Sequence, residues 1–268
     1  MPRSIWNGSI SFGLVNIPVK VYTATKSKEI SFTTLDKEGH PIKYKRWCPI
    51  CNREVPWNEV KKGYKISKDK YVIIEKSDLE KIKLKTTKTI DIVEFVDASQ
   101  IDPLFYQKAY YVVPDETGKK AYALFVEALR LSNKVAIGKV VMKNKEYLVA
   151  LRAYKKGLVM HVLHYIGEVK DIEELEEIKH LVPIREEELK LAQALIEKLT
   201  QKEFDISKFK DSYTEALKKL IKAKAEGKEI AEVKEIEKVE EEKSLLEALK
   251  ASVEAIKKKK KKKIEVKT

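Results

Sequence analysis

The sequence predicts a mainly β fold with some helix, in which about the first 165 residues form a barrel or folded sheet. Three observations lead to this expectation. Apolar and polar residues alternate along several short segments, and three such segments follow one another with short turns between residues 134 and 165. After about residue 170 the composition changes to one typical of helices.

The first strand region is "SISFGLVNIPVKVY", where apolar and polar residues alternate as in a half-buried strand. Ile10, Phe12 and Leu14 share one face, and the apolar phase then shifts to Ile17 and the two valines that follow it. A bulge or bend near Asn16 would explain this shift.

Strands and one helix are expected in the middle of the chain. β-like runs are found at residues 71–74, 90–96 and 109–113. The turn sequence "PDETG" precedes a short amphipathic helix, whose apolar residues recur at helical spacing: Tyr122, Phe125, Val126 and Leu129. Ser132-Asn133 can end this helix. Residues 134–165 then read as an antiparallel meander, because their turns are too short for parallel crossovers.

The composition after the meander predicts helices and then a solvated tail. Residues 171–188 carry eight acidic side chains against one Lys and one Arg, a net charge of −6. Two apolar stripes at helical spacing follow, and Asp205 or Ser207 is a plausible N-cap of the second helix. Seven consecutive lysines at 257–263 cannot form a packed element. The expected domains are therefore a core (1–184), a helical segment (185–227) and a Glu/Lys-rich extension ending in poly-Lys (228–268).

The positive charge indicates a polyanionic partner. The chain has 55 Lys and Arg against 42 Asp and Glu, a net charge of +13. Residues 41–90 hold fourteen basic and six acidic side chains (net +8), and residues 134–156 hold seven against one (net +6). Most are lysines without interleaved aromatic residues, which favours contact with duplex phosphates over base stacking. Lysines that guard solvated strand edges are the alternative interpretation.

No enzyme motif is found. The sequence contains no G-x-G-x-x-G, G-x-S-x-G or H-E-x-x-H, and "GSISFG" lacks the Lys and Ser/Thr of a P-loop. His161 and His164 lie three apart on a predicted strand, so they should point to opposite faces and cannot bind one ion together.

No uncharged stretch is long enough for a membrane span. Two cysteines without an export signal favour a reducing cytoplasm.

Three long blocks carry a resemblance to a known family: "IWNGSISFGLVNIPVKVY" at 5–22, "YYVVPDETGKKAYALFVEAL" at 110–129 and "VAIGKVVMKNKEYLVALRAYKKGLVMHVLHY" at 135–165. They strongly resemble prokaryotic Ku, the homodimeric DNA-end-binding protein of non-homologous end joining. The resemblance covers about residues 3–225, with "FDISKFKDSYTEALKKLIKAKAEGK" similar to the family's C-terminal segment. One departure is "YIGEVKD", where many relatives have a Pro-Asp-Glu-Val-Arg-like run.

The resemblance implies a Ku-type β-barrel core with an inserted bridge at roughly 30–95, followed by a helical C-terminal segment. It implies a ring-shaped homodimer that binds double-stranded DNA ends without reading sequence, has no catalysis of its own and needs no cofactor. It also implies repair of double-strand breaks with an end-joining ligase of the ligase D type, in the cytoplasm at the nucleoid and not at a membrane. The alternatives are an architectural, nucleoid-type DNA-coating protein and an end-processing enzyme.

Candidate DNA contacts are basic residues chosen from the two basic windows and the first strand region: Lys20, Lys43, Lys45, Arg46, Lys65, Lys68, Lys85, Lys88, Lys139, Lys143 and Arg152. The two cysteines, Cys48 and Cys51 in "RWCPIC", form half of a tetrahedral zinc site, because such a site has four ligands. In a homodimer, two such pairs supply four thiolates. A turn with free or weakly metal-binding thiols is favoured over this shared site, and a redox pair or a disulfide is less favoured than either.

Overall fold

The computed structural model describes residues 3–68, 70–81, 88–143 and 145–227. The chain divides into two compact units, residues 1–171 and residues 172–268. The described strands all lie in the first unit: β1 (Trp6–Phe12), β2 (Val15–Thr23), β3 (Trp47–Cys48), β4 (Arg53–Glu54), β5 (Lys62–Ser67), β6 (Lys70–Ile74), β7 (Thr89–Asp97), β8 (Tyr106–Pro114), β9 (Lys134–Met142), β10 (Lys145–Tyr154) and β11 (Gly157–Leu163). This unit also contains helices α1 (Lys76–Lys81) and α2 (Lys119–Ser132).

Seven of these strands form a closed barrel in the order β1-β2-β8-β11-β10-β9-β7, and this confirms the predicted barrel. The predicted meander is confirmed as β9, β10 and β11, which pair antiparallel in sequence order. The barrel closes where β1 pairs in parallel with β7, with Ser9 opposite Thr89 and Ser11 opposite Asp91. Closure leaves no barrel edge strand free to pair with another chain.

The core consists of the inward-facing apolar residues of the barrel and one face of α2. Its strand residues include Ile10, Ile17 and Leu151, all fully buried. The predicted helix is confirmed, since Tyr122, Phe125, Val126 and Leu129 pack into this core. The Tyr122 hydroxyl donates a hydrogen bond to the Val112 carbonyl at 2.6 Å and accepts one from the Leu158 amide at 2.8 Å. This hydroxyl therefore joins β8 and β11 from inside the molecule.

The predicted bulge near Asn16 is wrong, because the shift of apolar phase marks a β-hairpin. β1 and β2 pair antiparallel, with Ile10 opposite Ile17 and both side chains buried. Gly13 has φ +57° in the two-residue turn, a conformation that glycine adopts at low cost and that hairpin turns require. Leu14 completes the turn and is fully exposed instead of sharing a face with Ile10.

Residues 24–88 leave the barrel between β2 and β7, and we call them the bridge segment. Its strands form two separate hairpins, β3–β4 and β5–β6. None of the described residues of this segment is buried. The bridge is expected to fall within roughly 30–95, but the segment between the barrel strands begins at residue 24 and ends at residue 88, because residues 89–95 belong to barrel strand β7.

The second unit contains helices α3 (Glu176–Lys179), α4 (Glu186–Leu199) and α5 (Ser212–Ala225). The two predicted helices are α4 and α5, and neither has a buried residue. The predicted N-cap of α5 is wrong. Asp211 caps it by accepting a hydrogen bond from the Thr214 amide at 2.9 Å, whereas Asp205 caps the preceding 3-10 turn. The predicted boundary at 184/185 falls just before α4, and the Lys-rich extension at 228–268 lies outside the described residues.

None of the helices in the described ranges has both the length and the apolar character needed to span a membrane.

Candidate nucleic-acid interface

The bridge segment presents exposed lysines that have no carboxylate partner among the described residues. Lys43, Lys65 and Lys68 are exposed, and none of them forms an ion pair within the described part of the chain. Lys88, also exposed, stands where the segment returns to the barrel, with φ +48° and its carbonyl accepting a hydrogen bond from the Ser9 amide at 3.0 Å. Lysines of this kind are free to contact phosphates. The remaining candidate of this region, Lys85, lies outside the described residues.

Three other candidate lysines are paired with carboxylates. Lys20 Nζ lies 2.7 Å from Asp115, Lys45 Nζ 2.9 Å from Glu54 and Lys139 Nζ 3.2 Å from Glu146. The hydrogen bond to Asp115 raises the pKa of Lys20 above its ordinary value. Each pair is at least partly exposed and contributes little to stability, but each carboxylate cancels the charge that a phosphate would meet. The structure thus separates the candidates into free and neutralised groups.

Arg46 is held against an aromatic ring. Its guanidinium carbon lies 4.0 Å from the centre of the Trp57 ring, and its Nε donates a hydrogen bond to the Val55 carbonyl at 3.2 Å. This stacking fixes the charge of Arg46 beside the β3–β4 hairpin. The contact is not visible in the sequence, because Arg46 and Trp57 are eleven residues apart and meet only across the hairpin.

The outer wall of the barrel carries a mixed basic and aromatic surface, which we call the barrel patch: Lys20, Tyr22, Tyr111, Arg152 and Tyr154. The register aligns Tyr22 with Tyr111 across β2–β8, and Tyr111 with Val159 and then Arg152 across β11 and β10. Arg152 lies over Tyr154 at 5.7 Å, and Tyr154 stacks with Tyr111 at 6.4 Å between ring centres. The expectation that aromatic residues are not interleaved with the basic ones is therefore wrong at this surface.

One mouth of the barrel gathers three lysines around a cavity of about 380 Å³. Lys143 lines it together with Lys108 and Lys145, beside Tyr110 and Tyr147. Lys145 Nζ forms an ion pair with a Glu168 carboxylate oxygen at 3.8 Å and lies 5.4 Å from the centre of the Tyr147 ring. Lys108 and Lys145 were not among the candidates. The pairing of β8 with β11, and of β11 with β10, brings Lys108 to the side of the barrel where Lys145 lies.

Cys48 ends β3, and Cys51 lies in the turn of the β3–β4 hairpin. The Cys51 amide donates a hydrogen bond to Cys48 Sγ over 3.4 Å. This bond lowers the pKa of Cys48, whereas the neighbouring Cys48 sulfur raises the pKa of Cys51. Asn52, the next residue, has φ +50°. Both cysteines are free thiols, one half-exposed and the other exposed.

Among the described residues, no histidine forms a group of three or more metal ligands together with the cysteines. His161 projects from β11 with its ring 4.9 Å from that of Tyr106, and burial lowers its pKa. His164 follows the end of β11, rather than lying within it, and contacts Glu168 at 3.2 Å. His40 contacts Asp36 at 3.2 Å and Glu38 at 3.6 Å. Within the described ranges, those last three residues are the only group of three or more such ligands close together.

Comparisons with known proteins point to one family. The family model of the Ku70/Ku80 beta-barrel domain matches residues 11–191. A protein of Archaeoglobus fulgidus named "Non-homologous end joining protein Ku" is 49% identical over 95% of this chain and 100% of its own length. Proteins of the same name are 42% identical in Heliobacterium modesticaldum (95% of this chain, 92% of theirs) and 39% identical in Bacillus subtilis (85% and 74%).

Proposed function

This chain belongs to the Ku family, and from that premise we propose that it binds the ends of double-stranded DNA in non-homologous end joining. The observation that carries the proposal is a set of exposed lysines on the bridge segment that form no ion pair with any described residue, represented by Lys43, Lys65 and Lys68. Lysine side chains contact phosphates, which are the same in every sequence. Binding is therefore independent of sequence and steeply dependent on salt.

The ring-shaped homodimer is a further part of this proposal. Apolar side chains exposed on the first unit support it: Leu124 is 73% and Leu131 is 80% exposed on α2, and Ile50 is 94% exposed in the bridge segment. A shallow apolar cavity of about 590 Å³ lies beside α2, lined by Phe12, Phe95 and Leu124 among others. Exposed apolar surface of this kind is typical of an interface between proteins. Light scattering on the purified chain measures the mass, and a monomer would contradict the homodimer.

Binding to linear and to closed circular duplex of the same sequence tests the end-binding proposal. A ring must thread onto a free end, so we expect tight binding to the linear duplex and weak binding to the circle. Equal affinity for both would refute threading and would favour the alternative, a nucleoid-type protein that coats DNA. Exonuclease protection of linear duplex with free ends, compared with duplex whose ends are blocked, separates the same two functions.

We propose that the helical segment 185–227 recruits an end-joining DNA ligase of the ligase D type. The support is its exposed apolar surface: Phe204, Phe209 and Tyr213 are 78%, 71% and 75% exposed. Removal of residues 185–227 should abolish stimulation of the ligase while end binding by the core persists. The double variant Phe204→Ala/Phe209→Ala removes the ring pair 5.7 Å apart and should weaken stimulation, whereas the charge variant Lys202→Gln serves as its control. Unchanged stimulation would place the ligase site elsewhere.

The chain is proposed to act without catalysis of its own, in the cytoplasm at the nucleoid. Cleavage of DNA that requires a divalent metal and that a single substitution abolishes would instead establish an end-processing enzyme.

The lysines at 257–263 are proposed to add non-specific affinity for DNA. Deletion of 257–268 should weaken DNA binding and flatten its salt dependence without changing the oligomeric mass, and loss of the dimer would show a structural role.

A further inference from the structure

We propose that one mouth of the barrel binds a small phosphorylated ligand with a flat ring, of the class of a nucleoside 5′-phosphate. The cavity of about 380 Å³ at this mouth, which we call the mouth cavity, lies at the end of the barrel where β2 ends and where β8 and β10 begin. Mouths of β-barrels often hold small molecules, in cavities of about 300–1,000 Å³. Such a site is separate from the binding of DNA ends proposed above and does not depend on it.

Two lysines occupy inward-facing positions at this mouth. Alternate residues of a strand face the same side of the sheet. On β8 the buried Val112 and the half-buried Tyr110 face the core, so Lys108 continues the same face. On β10 Tyr147 faces the core in the same way, and Lys145 continues its face. Both lysines line the mouth cavity, so the inner wall of the barrel ends in positive charge.

The positive charge around the mouth cavity is not balanced by its own lining. Lys108 and Lys143 are exposed and form no ion pair with a described residue, and no described Asp or Glu lines the cavity. Lys145 reaches one Glu168 oxygen only at 3.8 Å, and the other oxygen of that carboxylate accepts a hydrogen bond from the Tyr165 amide at 3.1 Å. Three ammonium groups beside one cavity repel each other, so an anion with several oxygens lowers their energy.

The floor of the mouth cavity is aromatic. Trp6, Tyr110 and Tyr147 line it and also pack against the buried core. The Trp6 indole lies on Gly8, where a Cβ would come within 2.3 Å of the ring, so glycine leaves the room that the indole needs. Burial raises the pKa of Tyr110, and neither tyrosine hydroxyl forms a hydrogen bond with a described residue. The rings can therefore stack on a flat ligand, and the protonated hydroxyls can donate to its oxygens.

Lysines and rings around one cavity select the class of ligand. Ammonium groups bind phosphate oxygens, and aromatic side chains stack on a nucleobase because every base has a flat π face. A polyphosphate would use only the lysines and an uncharged ring only the floor, whereas a nucleoside 5′-phosphate uses both. The bases of an intact duplex are stacked on each other and offer no free face to these rings. The mouth cavity therefore differs from the phosphate contacts proposed for the bridge segment.

Calorimetric titration of the full-length chain with ATP, inorganic triphosphate and adenosine tests the site. We expect one ATP per chain, bound about 10-fold or more tighter than triphosphate or adenosine, because each of these lacks one set of contacts. Failure of ATP to bind would refute the site. Equal affinity for ATP and triphosphate would overturn the role of the rings, and equal affinity for ATP and adenosine would overturn the role of the lysines.

A pair of charge variants separates the mouth cavity from general attraction between a basic chain and a polyanion. Lys108→Gln/Lys145→Gln changes exposed side chains, so its melting temperature without ligand should equal that of the unaltered protein, while its affinity for ATP should fall about 10-fold or more. Lys155→Gln/Lys156→Gln is the matched control, because it removes the same charge just beyond the opposite end of β10 and should bind ATP as the unaltered protein does. An equal loss in both variants would overturn the site.

Hydrogen exchange locates the bound nucleotide. Saturating ATP should slow the exchange of amides in the first residues of β8 and β10 and leave the turn between β10 and β11 unchanged. Binding without any slowing at the mouth would place the nucleotide elsewhere and refute the proposed site. Binding of both variants to linear duplex, measured on the same samples, reports the proposed function separately.

Discussion

Neutralising the three free lysines of the bridge segment should make DNA binding less sensitive to salt. The perturbation is the triple variant Lys43→Gln/Lys65→Gln/Lys68→Gln, whose side chains are exposed and form no ion pair within the described residues. Glutamine keeps a polar side chain of similar length and removes the charge. Because none of the three is buried, we expect the melting temperature to stay at the value of the unaltered protein.

The size of the effect follows from counterion release. Each phosphate contact contributes about −0.9 to the slope of log affinity against log salt, so three lost contacts make the slope less negative by about 2.7 for each chain on the DNA. Between about 50 and about 200 mM salt, the unaltered protein then loses about 40-fold more affinity per contributing chain than the variant. Fluorescence anisotropy with a labelled linear duplex measures the slope.

The matched control is Lys45→Gln/Glu54→Gln, in the same segment. Lys45 and Glu54 lie 2.9 Å apart, so the double substitution removes a neutral pair and should leave the slope unchanged. An unchanged slope in the triple variant would refute the assignment of these lysines to phosphate contact. An equal loss in the control would refute the distinction between free and neutralised lysines.

Other substitutions test the fold. Tyr122→Phe removes the hydrogen bonds that this hydroxyl makes with a buried carbonyl of β8 and a buried amide of β11, so chemical denaturation should show a loss of about 1–3 kcal/mol, whereas Tyr154→Phe on the surface should cost almost nothing. Gly8→Ala places a Cβ on the Lys88 carbonyl oxygen and should lower stability by about 1–3 kcal/mol, while Gly13→Asn, with open space at a left-handed position, should be tolerated. The Tyr165 amide and His164 hold the pKa of Glu168 below its ordinary value, so this carboxylate stabilises the fold above the unfolded pKa of about 4.3. Its contribution is lost as pH falls through the lower folded pKa, and Glu168→Gln should show a shallower fall of melting temperature in acid; an unchanged fall would contradict this role.

The local elements were predictable because their signals lie within a few residues. The spacing of Tyr122, Phe125, Val126 and Leu129 predicted α2, and the two short turns between residues 134 and 165 predicted an antiparallel meander. The apolar phase shift after Leu14 indicates a change in the course of the strand but does not by itself identify which change. A two-residue hairpin and a bulge both shift the phase, and only the pairing of Ile10 with Ile17 distinguishes them.

The charge of the chain and its concentration in two windows were determined by the sequence alone, since a count of side chains needs no coordinates. Which of those charges remain free was decided by the tertiary structure. Lys43 and Lys45 are two residues apart and alike in sequence, yet only Lys45 meets a carboxylate, because the β3–β4 hairpin brings Glu54 to it. The same holds for the cysteines. Their spacing was visible in the sequence, but the amide directed at Cys48 Sγ comes from the turn of the folded hairpin.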